Sequence, residues 1–125
     1  MKRILLDTHA VLWWLADDPS LSAGARAEIA DPVSEVLVST GSVWEIAIKR
    51  SLGMLTVADD LLDRVLSAGL SWLRVSERHA WEITNLPHHH YDPFDRLLIA
   101  QARVEEIPIV TRDLRFHAYD VELRW

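Results

Sequence analysis

The chain has 125 residues, half of them hydrophobic and 26% charged, with no cysteine and a formal net charge of −6. That length suits one compact domain spanning residues 1–125 with a real core. The missing cysteine excludes disulfides, thiolate zinc sites and cysteine nucleophiles. The acidic balance argues against a general nucleic-acid binder, unless several of the acids are metal ligands whose charge a bound ion cancels.

Residues 3–6 read as a short buried strand. No apolar run approaches the roughly 18 residues of a membrane span. Asp7 and His9 interrupt the first apolar run, so a strand rather than a signal peptide is expected there, and a cytoplasmic protein. A helix over 9–16 follows, with Leu12 and Leu15 on one side and the pair Trp13-Trp14. Asp17-Asp18-Pro19-Ser20 breaks it. Ser22 is placed to cap a second helix, Ala23 to Ala30, which Asp31-Pro32 ends. Residues 36–39 predict a strand. Residues 43–50 predict a helix with Gly53 as its stop signal, and 59–68 another with the stripe Leu61, Leu62, Val65 and Leu66. Residues 72–75 predict a strand, Ser76 and Glu77 open a helix carrying Trp81 and Ile83, and 86–91 form a loop. Asp92-Pro93 starts the longest helix, to about Val104. Strands at 108–111 and 121–123 close the pattern. Strands alternating with helices predict an α/β fold: a mainly parallel sheet with helices on both faces.

Four acids sit at junctions in this pattern. Asp7 ends the first strand, where the carboxyl ends of parallel strands border a ligand crevice; it is also placed to N-cap the next helix. Ser42-Val43-Trp44-Glu45 reads as a capping box, with serine at N-cap and glutamate at N3. In Asp92-Pro93-Phe94-Asp95-Arg96, Asp92 is the N-cap, Pro93 is N1 and Asp95 is N3, and the helix macrodipole accounts for both acids. Asp113 follows a strand in Val110-Thr111-Arg112-Asp113, where a solvated turn accounts for it. Taken together, Asp7, Glu45, Asp95 and Asp113 suit Mg²⁺ or Mn²⁺, which prefer oxygen ligands. Phosphodiester hydrolysis by metal-activated water needs such acids and no nucleophilic side chain.

Among nearby cations, Lys49, Arg96 and Arg112 are candidate contacts for substrate phosphates, with Arg50 and Arg115 beside them. A solvated face explains them as well. The run His88-His89-His90 reads as a surface loop, because contiguous histidines cannot all face one ion and no cysteine completes a zinc set. The six tryptophans are expected mostly in the core or at an interface, with the surface around Trp13, Trp14 and Trp44 a candidate partner face. The chain has no Gly-rich phosphate loop, GxSxG elbow or HExxH. Acid-rich α/β phosphatases place a second aspartate two residues after the first; here Asp7 is followed by Thr8 and His9.

The chain resembles the PIN-domain family, specifically the VapC-type ribonuclease toxins of type II toxin–antitoxin systems. The resemblance rests on Leu5-Leu6-Asp7-Thr8-His9, on Ser42-Val43-Trp44-Glu45-Ile46-Ala47-Ile48-Lys49, on residues His90 to Ala102, and on Thr111-Arg112-Asp113. Their order and spacing match across essentially the whole chain. The resemblance implies a three-layer α/β/α sandwich with a five-stranded, mainly parallel sheet, and a Mg²⁺- or Mn²⁺-dependent endoribonuclease. It implies Asp7, Glu45 and Asp95 as the central metal-binding and catalytic acids and Asp113 as a fourth, more variable one. Asp92 is then a cap or outer-shell group, and Thr111 orients Asp113 or a water. It further implies an RNA substrate, a homodimer, and inhibition by a cognate VapB-like antitoxin. A catalytically degenerate module of the same fold, binding RNA or protein, is the alternative.

Overall fold

The computed structural model describes residues 2–89 and 91–125. His90, the last of the three histidines, lies outside the described residues. Five strands form one sheet: β1 (Lys2–Leu6), β2 (Ser34–Ser39), β3 (Ser71–Leu73), β4 (Ile109–Val110) and β5 (Leu123–Arg124). Their order is β3-β2-β1-β4-β5, and every neighbouring pair is parallel. The helices are α1 (Thr8–Ala16), α2 (Ala23–Ala30), α3 (Thr40–Ser51), α4 (Leu61–Ser67), α5 (Glu77–Glu82) and α6 (Pro93–Glu105). No helix among the described residues is long and apolar enough to cross a membrane.

Alternation along the strands builds the three layers, because successive side chains point to opposite faces. Ile4 and Leu6, Val36 and Val38, and Val110 meet Ala10 and Val11 of α1, Ala25 and Ile29 of α2, and Val65 of α4. Leu5, Leu37, Leu73 and Ile109 point the other way, into a core with Leu98, Ile99, Ala100 and Ala102 of α6. Behind α6, His79 is buried at the start of α5. Its Nδ1 accepts the Ser76 N–H at 3.0 Å, so Nε2 carries the proton and donates to Glu105 Oε2 at 2.8 Å.

The expected elements are all present, with shifted ends. Helix α3 begins at Thr40 rather than Val43, because Ser39 at the end of β2 is the cap; its Oγ accepts the Gly41 N–H at 2.9 Å. The capping box read at Ser42-Val43-Trp44-Glu45 is therefore corrected: Ser42 and Glu45 lie inside the helix and face inward. Gly41 is what allows the early start, since a Cβ there would stand 2.6 Å from Leu97 Cδ2. Strand β3 stops at Leu73, because the Val75 N–H leaves the ladder for Thr40 Oγ1. Ile83 belongs to a 3-10 turn (Ile83–Asn85) that follows α5, and a second 3-10 turn (Leu114–Ala118) follows Asp113. The tryptophans sit at the margin of the core or on the surface. Trp13, Trp14 and Trp72 only half-bury against the first core, and Trp44, Trp81 and Trp125 are exposed. Rings of this size rarely bury fully.

Gly41→Ala is expected to cost about 1–3 kcal/mol of stability by forcing Leu97 aside. The measurement is the urea midpoint, which falls at an unchanged m-value.

Candidate metal centre

The chain leaves β1 toward β2 on one side, while β4 joins β1 on the other. The carboxyl ends of β1 and β4 thus flank the point where strand order reverses, which is where open α/β sheets place ligands. Asp7 follows β1 there and Thr111 follows β4. Asp7 uses both oxygens: Oδ1 accepts the Ala10 N–H at 2.8 Å as the N-cap of α1, and Oδ2 accepts the Thr111 hydroxyl at 2.6 Å. Cap and candidate ligand are one residue. Asp7 is only 7% exposed. Burial pushes its carboxyl above the usual carboxylate value, against the pull of the Thr111 and Ala10 hydrogen bonds.

Glu45 reaches the same region from α3 and is buried. Its Oε1 accepts the Thr8 hydroxyl at 2.7 Å, and Thr8 Oγ1 also lies 2.9 Å from Ser42 Oγ. Lys49, one turn on, donates to Oε2 at 2.7 Å. That bond raises the lysine above its ordinary value.

Asp95 stands in the first turn of α6 behind its cap: Asp92 Oδ1 accepts the N–H groups of Phe94 and Asp95. Asp95 is pushed up to about 7, first by burial and then by Asp92, Asp113 and Glu45, with Arg115 opposing. Asp113 caps the second 3-10 turn and donates its own N–H to Thr111 Oγ1 at 3.0 Å. Thr111 therefore joins Asp7 to the Asp113 backbone. The Arg115 guanidinium lies 2.8 Å from Asp113 Oδ2 and 3.4 Å from Asp95 Oδ2.

Among the acids, Asp113 adds to the burial that raises Asp7, and Asp92, Asp113 and Glu45 add to the burial that raises Asp95. Their all-oxygen chemistry fits a hard divalent cation. The side chains do not yet cage one: among the described residues, no three His, Cys, Asp or Glu groups are gathered as tightly as an ion requires. Lys49 holds Glu45, and Arg115 holds Asp95 and Asp113.

The candidate phosphate contacts divide. Lys49 borders the acids. Arg112 is exposed, with its guanidinium carbon 4.5 Å over the Trp13 ring. Arg96 is corrected: it is buried and donates to the Pro87 and Leu86 carbonyls and the Tyr119 hydroxyl, so it clamps the preceding loop. Arg50 pairs with Asp59, away from the four acids. His88 and His89 are exposed, stacked on Tyr91 and edge-on to Tyr119. Thr8 as the partner of Glu45, and Ser42 as the partner of Thr8, were not legible in the sequence. The only signal was a hydroxyl adjacent to Asp7 and another three residues before Glu45.

A model of the PIN domain matches residues 4–122 of the chain. The chain is 28% identical to ribonuclease VapC22 of Mycobacterium tuberculosis, over 95% of this chain and 93% of that protein. Among solved structures it is similar to VapBC2 of Rickettsia felis bound to a promoter DNA fragment, with TM-score 0.72 and 13% identity over 97% of this chain and 96% of that one. It is also similar to DNA-bound VapBC of Salmonella typhimurium, with TM-score 0.72 and 17% identity over 98% and 97% of the two chains. These structural matches carry the expected α/β/α sandwich.

A carboxyl raised on folding opposes stability once it ionises. Between the unfolded value near 3.8 and the folded value of about 7 the folded chain binds more protons, so stability falls as pH rises through that window. In a metal-free buffer, urea midpoints are expected to decline from pH 4 to 7, and Asp95→Asn to flatten that decline.

Proposed function

As the chain belongs to the PIN domain family, we propose that it is a Mg²⁺- or Mn²⁺-dependent endoribonuclease whose site acids are Asp7, Glu45, Asp95 and Asp113. The observation that carries this reading is Asp95, pushed up to about 7 among three other acids. A cluster that resists its own ionisation is the arrangement a cation relieves, and perturbed groups gather at functional sites. Bound there, the divalent ion supplies Lewis-acid activation of water and charge neutralisation at phosphorus.

The protein's own part is positioning. Thr111 fixes Asp7 Oδ2, and Thr8 fixes Glu45 Oε1. Lys49, now paired with Glu45, would be freed to face substrate phosphates if a divalent ion took its place. The likeness to VapC22 and to VapBC assemblies supports the reading that the chain is the toxin of a type II pair, cytoplasmic, dimeric and restrained by a VapB-like antitoxin. Co-purification with the product of an adjacent reading frame tests the partner.

Asp7→Asn is expected to abolish cleavage of total RNA and any growth arrest while the far-UV spectrum stays unchanged. A folded Asp7→Asn variant cutting at the wild-type rate overturns the assignment. One observation favours a non-catalytic RNA- or protein-binding module: Lys49 and Arg115 already neutralise three of the acids. Such a module takes up no Mn²⁺ in calorimetric titration and leaves total RNA intact.

Thr8→Val removes the donor that aims Glu45. It is expected to weaken Mn²⁺ binding by about 10–100-fold, the usual effect of losing a group that orients a metal ligand, as read by the same titration.

A further inference from the structure

We propose that Arg112, Trp13 and His9 form a nucleobase-stacking platform beside the acids, a subsite for one base of single-stranded RNA adjoining the phosphate that is cut. The proposal deepens the ribonuclease reading and rests on it for the identity of the strand.

His9 and Trp13 lie one helical turn apart on α1, with ring centroids 5.4 Å apart and planes 27° from parallel. The edge of Trp125 stands against Trp13 at 6.0 Å and fixes the indole. Arg112 reaches over from the β4 side and stacks on the same indole at 4.5 Å. The platform has an open side, because both Arg112 and His9 are exposed. Together with Asp7, Asp113 and Leu114 the three residues line a cleft of 440 Å³. That volume falls within the range of small-ligand sites, about 300–1,000 Å³. Leu114, 78% exposed, supplies an apolar wall that the fold does not use.

The placement follows from the chain. Arg112 sits between Thr111, which holds Asp7, and Asp113. A base lying on its guanidinium has its sugar–phosphate beside the two carboxylates. Unpaired RNA bases stack on aromatic rings and on guanidinium planes, and such stacking tolerates any base. A packing role for Arg112 alone, with Asp18 as its counter-charge, accounts for the cation–π contact but leaves the open cleft unused.

The test is ¹H–¹⁵N NMR of the full chain in EDTA, following the Trp13 indole N–H assigned with Trp13→Phe. The probes are the four 5′-ribonucleotides, a tetraribonucleotide, and ribose 5-phosphate, which carries the anion without a base. Each nucleotide is expected to move the Trp13 signal, ribose 5-phosphate to leave it in place, and the tetramer to bind about tenfold tighter than the monomers. Arg112→Lys keeps the charge and loses the stacking plane, and is expected to weaken nucleotide binding about tenfold. An equal response to ribose 5-phosphate makes the cleft an anion site and overturns the proposal. So does a tetramer no tighter than a monomer, or wild-type affinity in Arg112→Lys. If these signals respond as expected while Asp7→Asn still cuts RNA, the ribonuclease reading falls and the base site stands. Cleavage lost in Asp7→Asn with no response at Trp13 has the reverse meaning.

Discussion

The hydrogen bond from Thr111 to Asp7 closes the gap between the ends of β1 and β4. A buried carboxylate is expensive unless it is hydrogen-bonded, and Asp7 meets that condition on both oxygens. One bond fixes the start of α1. The other crosses to the strand that the chain reaches about a hundred residues later. The parallel pairing of Leu6 with Val110 delivers the two groups side by side. Everything else in the site is placed relative to this link: Asp113 hangs from the same threonine oxygen, and Thr8, next in the chain after Asp7, meets Glu45.

Held there, the acids oppose one another. Folding brings together charges that an extended chain keeps apart, at a cost that Asp95, pushed up to about 7, registers. Lys49 and Arg115 moderate that cost from the rim. Lys49 lies one helical turn from Glu45 and Arg115 two residues from Asp113, while the contact from Arg115 to Asp95 crosses between elements. The arrangement has the character of a functional site that the rest of the fold stabilises.

Element order was legible in the sequence because most strands are short apolar runs and several helices start at a readable cap, although Asp60 before α4 makes no side-chain cap bond. Ser22, Ser76 and Asp92 all cap where the local pattern puts them. Helix α3 was misplaced because its true start depends on Gly41 fitting beneath Leu97, a contact across more than fifty residues that no local pattern carries. Arg96 was misread for the same reason. A charged residue in a first helical turn reads as surface, and only the tertiary packing turns it inward onto the loop before α6. The four acids were visible at their junctions, but each had a local explanation. Asp7 shows why those explanations did not decide the matter, since it is a helix cap and a member of the acid cluster at once.

The edges of the sheet are short: β3 has three residues and β5 two. Such strands offer few unpaired backbone groups, so another chain gains little by extending the ladder. A second polypeptide would instead meet side chains on α3, α4 and the turn between them, where Trp44, Leu52, Met54, Leu62 and Leu66 stand exposed. A surface of that kind is read by shape and by apolar fit. It leaves selectivity among partners to individual side chains that can change without disturbing the sheet on which the acids stand.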